Sequence, residues 1–279
     1  MANRRVALVG CGMVGMSYAY ALLNSDLCNE LILIDINEEK ALGEAMDLNH
    51  GLCFSSSHMK IRAGSFEDCQ YADLVVITAS AGSRKPGQTR LDLLQKNVGV
   101  FKSFISKIVA SGFNGIFLVA SNPVDVMTRL TYELSGFPAN RVIGSGTTLD
   151  TARLRYLIGD YFQADPHSVH GYVIGEHGDS EFVPFSQLNL STKNVEEFFS
   201  DERFKDEYKR EDIEQIIEKV KTSGAEVIKL KGATYYGIGM SLVRITKAIF
   251  GDENSVITVS SRLNGEYGMR DVYLGLPAY

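Results

Sequence analysis

One six-residue stretch near the amino terminus constrains this chain more than any other feature. Gly10-Cys11-Gly12-Met13-Val14-Gly15 follows an apolar, β-branched run at residues 6–9 and opens a helical stretch at 13–24. Glycines in the pattern G-x-G-x-x-G between a strand and a helix form a turn that few folds can use. Gly10 permits the tight turn, and Gly12 lets another group approach the backbone with no Cβ in the way. Gly15 allows the helix to pack closely on the strand. The helix N-terminus, with Met13 and Val14, then presents unpaired N–H groups to an anion. Asp35 closes the next apolar run, 20 residues after Gly15. A carboxylate there accepts hydrogen bonds from ribose hydroxyls and repels a 2′-phosphate. Together these features predict a dinucleotide site that takes NAD rather than NADP.

The pattern continues past this turn. Short apolar runs at 31–34, 74–78, 116–120 and 142–143 alternate with helical stretches at 38–49, 90–111 and 124–135. Strand–helix alternation of this kind implies βαβ units. The fold class is therefore α/β, with an N-terminal Rossmann doubly wound parallel sheet over residues 1–147. After about residue 150 the pattern changes. A helix at 150–162 leads to strand-like runs at 169–174 and 182–185, a charged helical region at 194–230 and a helix at 236–250. Strands return at 255–261 and 271–276. Residues 148–279 therefore read as a C-terminal α+β substrate domain, with a boundary inferred from the pattern change alone.

Composition narrows the function classes. Apolar residues are 45% and charged residues 22% of the 279, the balance of a soluble globular protein. The formal net charge of −6 offers no basic footprint, so neither nucleic acid nor a membrane surface is an expected partner. Arg4-Arg5 followed by the charge-free run 6–24 imitates a secretory leader, but the glycine spacing explains that run better. The four cysteines, Cys11, Cys28, Cys53 and Cys69, form no CxxC and no Cys/His cluster. They read as small buried hydrophobes in a reducing, cytoplasmic compartment, and no metal is expected.

A second group of residues points to chemistry. Gly175-Glu176-His177-Gly178-Asp179-Ser180 sets a histidine in a glycine-flanked loop just after a strand-like run. Asp150 opens a helix, and Arg153 lies three residues on, on the same face. Asn122 ends the run at 116–120, at the carboxyl edge of the sheet where such folds bind ligands. The loop Pro86-Gly87-Gln88-Thr89-Arg90, with Arg84 and Lys85 before it, is built like a lid that closes over an anion.

These stretches, with Ser121-Asn122-Pro123-Val124-Asp125 and Lys231-Gly232-Ala233-Thr234, resemble the L-lactate/L-malate dehydrogenase family, most closely its bacterial lactate branch. The resemblance runs in order from the first strand almost to the last residue. It implies an NAD-dependent L-2-hydroxy-acid dehydrogenase that interconverts pyruvate and L-lactate. His177 would be the proton donor to the ketone oxygen, and Asp150 would hold its tautomer. Arg153 would clamp the substrate carboxylate, Arg90 would polarise the carbonyl, Asn122 would hydrogen-bond near it, and Thr234 would line the pocket. Arg155 and His170 match positions that bind fructose 1,6-bisphosphate in such enzymes, although both also read as ordinary surface residues. The resemblance further implies a homo-oligomer, tetramer or dimer, and a further strand and helix beyond Tyr279. A catalytically impaired NAD(H)-binding relative is the competing class; such a protein would need none of the catalytic side chains.

Two lid residues depart from the lactate pattern. Arg84 stands where that branch usually carries glutamine, and Gln88 where it usually carries glutamate. Both changes make the lid more positive, favouring the second carboxylate of oxaloacetate over the methyl group of pyruvate. A charge-assisted hydrogen bond of roughly 1.5–3 kcal/mol is enough to reverse such a preference, so malate dehydrogenase activity is the alternative. On that reading, Arg84→Gln raises kcat/KM for pyruvate and lowers it for oxaloacetate in parallel NADH assays.

Overall fold

The computed structural model describes residues 4–82 and 90–279, leaving aside the side chains of Arg90 and Leu91. Six parallel strands form its centre: β1 (Arg5–Val9), β2 (Glu30–Ile34), β3 (Lys60–Ala63), β4 (Leu74–Ile77), β5 (Ile116–Val119) and β6 (Val142–Gly144). Their spatial order is β3-β2-β1-β4-β5-β6, the doubly wound arrangement. All but β3 are near-continuous apolar runs because both of their faces are covered. Alternate residues feed two cores. Val6, Leu8, Leu31, Leu33, Leu74 and Val76 face α1 (Met13–Leu23) and α2 (Glu38–Gly51). Ala7, Val9, Ile32, Ile34, Val75 and Ile77 face α3 (Arg90–Ala110) and α4 (Val124–Ser135).

The second half begins with α5 (Thr148–Tyr161). A small sheet follows, formed by β7 (Val169–His170), β8 (Asn189–Leu190) and β9 (Lys193–Asn194), and then α6 (Val195–Ser200), α7 (Arg210–Lys231) and α8 (Tyr236–Gly251). The hairpin β10 (Ile257–Asn264) and β11 (Arg270–Ala278) does not stay within this half. It extends the first sheet to eight strands, with Ser260 of β10 paired antiparallel to Gly144 of β6. Helix α8 also crosses over to pack on α1, where the fully buried Tyr18 hydroxyl lies 2.9 Å from Thr246 Oγ1. Thr246 in turn donates to the Leu242 carbonyl.

Several segments differ from the sequence expectation, each for a local reason. Strand β3 was not expected, because KIRA buries only Ile61 deeply and spends Arg62 on Glu30 and Asp68. The run at 169–174 is strand only at its first two residues. The run at 182–185 contributes only the bridge Ile174–Phe182, since Pro184 has no N–H to donate. The charged region at 194–230 is two helices. A capping box between Asn194 and Glu197 starts α6, and Asp201, bonded to Lys193 and Arg203, stands at its end. Cys11, Cys28 and Cys69 are buried as expected, whereas Cys53 is exposed in the single turn that follows α2.

The Tyr18 contact gives a direct test of the α1–α8 union. Tyr18→Phe removes one buried hydrogen bond and leaves Thr246 its helix carbonyl. Urea unfolding is expected to show a loss of about 0.5–1.5 kcal/mol with an unchanged slope.

Candidate active site

The glycine turn has the shape its sequence requires. Gly10 has φ +103°, and a Cβ there would lie 2.6 Å from the Ala79 nitrogen. A Cβ on Gly15 would collide with the Gly10 carbonyl oxygen, whereas one on Gly12 would meet nothing within 4 Å. Gly12 is the N-cap of α1 and supplies no capping side chain, so the first-turn amides of Met13, Val14 and Gly15 have no capping acceptor. Asp35 is fixed at the end of β2: its Oδ2 accepts from the Cys11 N–H at 2.7 Å and its Oδ1 from the Asn37 N–H at 2.9 Å. Uncapped amides beside an open glycine, with a half-buried acid at the next strand end, fit a dinucleotide. The Cys11 thiol in this turn is a packing group; burial, reinforced by Asp35, pushes its pKa up to about 12.

Across the carboxyl edge of the sheet lies the second constellation. Asp150 sits in the first turn of α5, with its side chain 2% exposed. One carboxylate oxygen lies 2.6 Å from His177 Nδ1, and the other accepts from Arg153 Nη1 at 2.8 Å. His177 is held between two left-handed glycines, Gly175 (φ +103°) and Gly178 (φ +147°). Its backbone N–H donates to Asp125 Oδ2 at 3.0 Å, and Asp125 Oδ1 accepts from Ser260 Oγ at 2.6 Å. Among the described residues the other ring nitrogen, Nε2, makes no hydrogen bond, so it is the atom available to a ligand. Burial by itself would lower the imidazole pKa. The Asp150 hydrogen bond and charge, with Glu181 and Asp125 nearby, outweigh it and raise the pKa above 6.5. Burial pushes the Asp150 carboxyl the other way, but His177 and Arg153 hold it below the usual range.

Neighbouring residues complete this site. Gly224 on α7 lies against Arg153: a Cβ there would sit 3.4 Å from Nη2, in ordinary contact with the guanidinium. Asn122 is exposed, and its carbonyl accepts from Asn97 Nδ2 at 2.8 Å. The buried Asn97 also holds the Ala81 N–H, tying the end of β4 to that of β5. Thr234 lies half-buried in the link between α7 and α8. Arg90 is the first residue of α3, while Arg84 and Gln88 lie outside the described residues. Arg155 projects from another face of α5, donating to the His167 carbonyl at 3.2 Å and lining a cavity of about 460 Å³ with Arg244 and Tyr172. His170 is exposed on β7 and is not in that lining.

Sequence reasoning missed Asp125, Asn97, Gly224 and Glu181. Asp125 was in a recognised stretch but reads there as a simple helix-start acid. Glu181 follows His177 by four residues, and its side chain is 3% exposed, 3.8 Å from Nδ1. Asp150, His177 and Glu181 offer atoms within 4.8 Å of one another, a spacing that would suit a cation; the Arg153 guanidinium already supplies positive charge there.

Both halves of the chain match known proteins. Residues 4–144 match the lactate/malate dehydrogenase NAD binding domain, and residues 147–279 the alpha/beta C-terminal domain of the same family. L-lactate dehydrogenase 2 of Bacillus cereus is 53% identical over 274 residues, covering 98% of this chain and 86% of that protein. A lactate dehydrogenase from a Medee basin deep-sea metagenome library superposes with a TM-score of 0.95 at 52% identity, covering 100% of this chain and 88% of that one. The minor L-lactate dehydrogenase of Enterococcus mundtii gives 0.96 at 47% identity in its ligands-bound form, covering 100% and 87%. Its ligands-unbound form gives 0.89. With both halves matched and the glycine turn, Asp150, Arg153 and His177 arranged as described, the chain belongs to the lactate/malate dehydrogenase family.

Proposed function

We propose that this protein is an NAD-dependent L-lactate dehydrogenase, interconverting pyruvate and L-lactate. The observation that carries this reading is the buried Asp150 carboxylate, bonded to both His177 and Arg153. In this reading residues 1–147 hold the cofactor and 148–279 the substrate. NAD, held by the Gly10–Gly15 turn and Asp35, supplies the hydride chemistry.

The chain's own residues do the rest. Asp150 accepts the proton of Nδ1, which leaves Nε2 as the working nitrogen: a donor when the ring is protonated, an acceptor when it is neutral. Reduction of a ketone uses the protonated ring, and oxidation of an alcohol uses the neutral one. One Nη of Arg153 is spent on Asp150, so the guanidinium is anchored before a carboxylate arrives and its remaining donors can grip it. Arg90, carried at the start of α3, would polarise the carbonyl, with Asn122 and Thr234 on the substrate side. The named relatives are L-lactate dehydrogenases, which does not favour the oxaloacetate alternative drawn from Arg84 and Gln88. An impaired NAD(H)-binding relative would have no use for an assembled Asp150–His177–Arg153 group.

Assembly as a homo-tetramer or dimer, a fructose 1,6-bisphosphate effector at Arg155 and His170, and a cytoplasmic setting belong to the same reading. No helix among the described residues is long and apolar enough to cross a membrane. The test is an NADH assay with pyruvate and oxaloacetate in parallel, with and without fructose 1,6-bisphosphate. Turnover of pyruvate is expected; tight NADH binding without turnover of either acid overturns the proposal.

Two substitutions sharpen it. His177→Asn is expected to lower kcat/KM for pyruvate by about 10²–10⁴-fold while leaving NADH binding in place by fluorescence titration. Because the His177 pKa is raised, the protonated ring persists to higher pH than a free imidazole. Pyruvate reduction therefore declines only above a limb displaced to the alkaline side of 6.5, and Asp150→Asn moves that limb toward acid in a kcat/KM profile.

A further inference from the structure

We propose that Glu181 is a positioning residue for this reaction, a second buried carboxyl that shares a proton with Asp150 and keeps the catalytic proton on His177 as the solution becomes alkaline. The proposal rests on the dehydrogenase reading above and adds to it a residue placed behind the imidazole rather than against the substrate.

The geometry is that of two acids and one base in a small, dry volume. Glu181 closes the loop that carries His177 and is 3% exposed; one oxygen lies 3.8 Å from Nδ1. That same oxygen receives only a long hydrogen bond, 3.4 Å, from the Gly178 N–H. The Asp150 and Glu181 carboxyls and the imidazole lie together within 4.8 Å. Among the described residues, the charged groups facing this cluster are Asp150 and Arg153 from α5, Asp125 from α4, and Glu176 and Asp179 of the loop itself. Arg153 pairs with Asp150, and Glu176 takes the Ser180 hydroxyl at 2.8 Å. Among the described residues Glu181 therefore has no cation of its own except His177.

Two adjacent carboxylates in such a volume do not both stay ionised unless a positive charge lies between them. When His177 is neutral, Glu181 holds a proton and shares it with Asp150. When His177 is an imidazolium, Glu181 is free to ionise and faces it as a second negative charge. Burial, and then the Asp150 charge, push the Glu181 carboxyl up to about 7, into the range where this exchange takes place. The two residues titrate as a pair, and each state of Glu181 stabilises the matching state of the ring.

Glu181→Gln keeps the shape and leaves an N–H for Asp150, but it can never carry charge. In the full-length protein the expected loss in kcat/KM for pyruvate grows with pH, reaching about three- to tenfold on the alkaline limb, a shift of up to about one unit. L-Lactate oxidation, which needs the neutral ring, gains by a similar factor on its acid limb. Equal losses in both directions at every pH would make Glu181 merely structural, and unmoved profiles would remove its role altogether; either result overturns the proposal. A measurement on the unmutated protein stands beside it. With glutamate carboxyls ¹³C-labelled and NADH bound, one resonance is expected to titrate near neutrality and to vanish in Glu181→Gln or Glu181→Asp. If every glutamate titrates in the ordinary carboxylate range, the shared proton does not exist. Failure of the unmutated protein to turn over pyruvate would instead sink the dehydrogenase reading, while the carboxyl titration still decides where the proton resides.

Discussion

A single carboxylate, buried at the start of α5, is the constraint around which the rest is arranged. Asp150 is almost without solvent, and a lone charge there would be costly. Three things make it tolerable: the imidazole on one oxygen, the guanidinium on the other, and the positive end of a helix beneath it. None of these works alone. The glycine-flanked loop has to deliver His177 to α5, Arg153 has to reach back along the helix to Asp150, and the helix has to begin at Thr148 rather than a turn later. Removing one partner leaves the others with an uncompensated charge, so the group stands or falls together.

The sheet explains why this group lies opposite the glycine turn. Both sites use the carboxyl ends of parallel strands, β1 for Gly10 and β5 for Asn122, where the chain leaves the sheet for a loop. Asn97 ties the ends of β4 and β5 to each other, and Thr78 anchors the turn by donating to the Gly10 carbonyl. The uncapped amides of the glycine turn and the His177 imidazole thus lie at the same edge of the sheet. Two alternating cores fix that edge, each built from every second residue of the same strands.

Much of this was legible in the residues. The glycine turn announces itself because each glycine answers a local steric demand, and Asp150 and Arg153 reveal their shared face through a three-residue helical spacing. The two central cores follow from period-two alternation between covered faces. What escaped was set by pairing at a distance. Asp125 and Ser260 meet across 135 residues, and nothing periodic in either segment foretells it. Strand β3 was lost for the opposite reason, since its single deeply buried side chain is too little pattern to read. The run at 182–185 looked extended because Val183 and Phe185 suit a strand, but Pro184 cannot donate to one. Arg84 and Gln88, the most informative departures in the sequence, lie outside the described residues.

The last hairpin carries a mechanical implication. Ser260 sits on a strand from the end of the chain, yet it grips the Asp125 carboxylate of the cofactor half, and that carboxylate holds the peptide nitrogen of His177. The Gly175–Gly275 backbone pair fastens the same loop a second time. The two halves therefore cannot rock about the short junction between β6 and α5 without tearing these fasteners. The imidazole is thereby tied through its own loop backbone to β10 and β11 of the chain's large sheet.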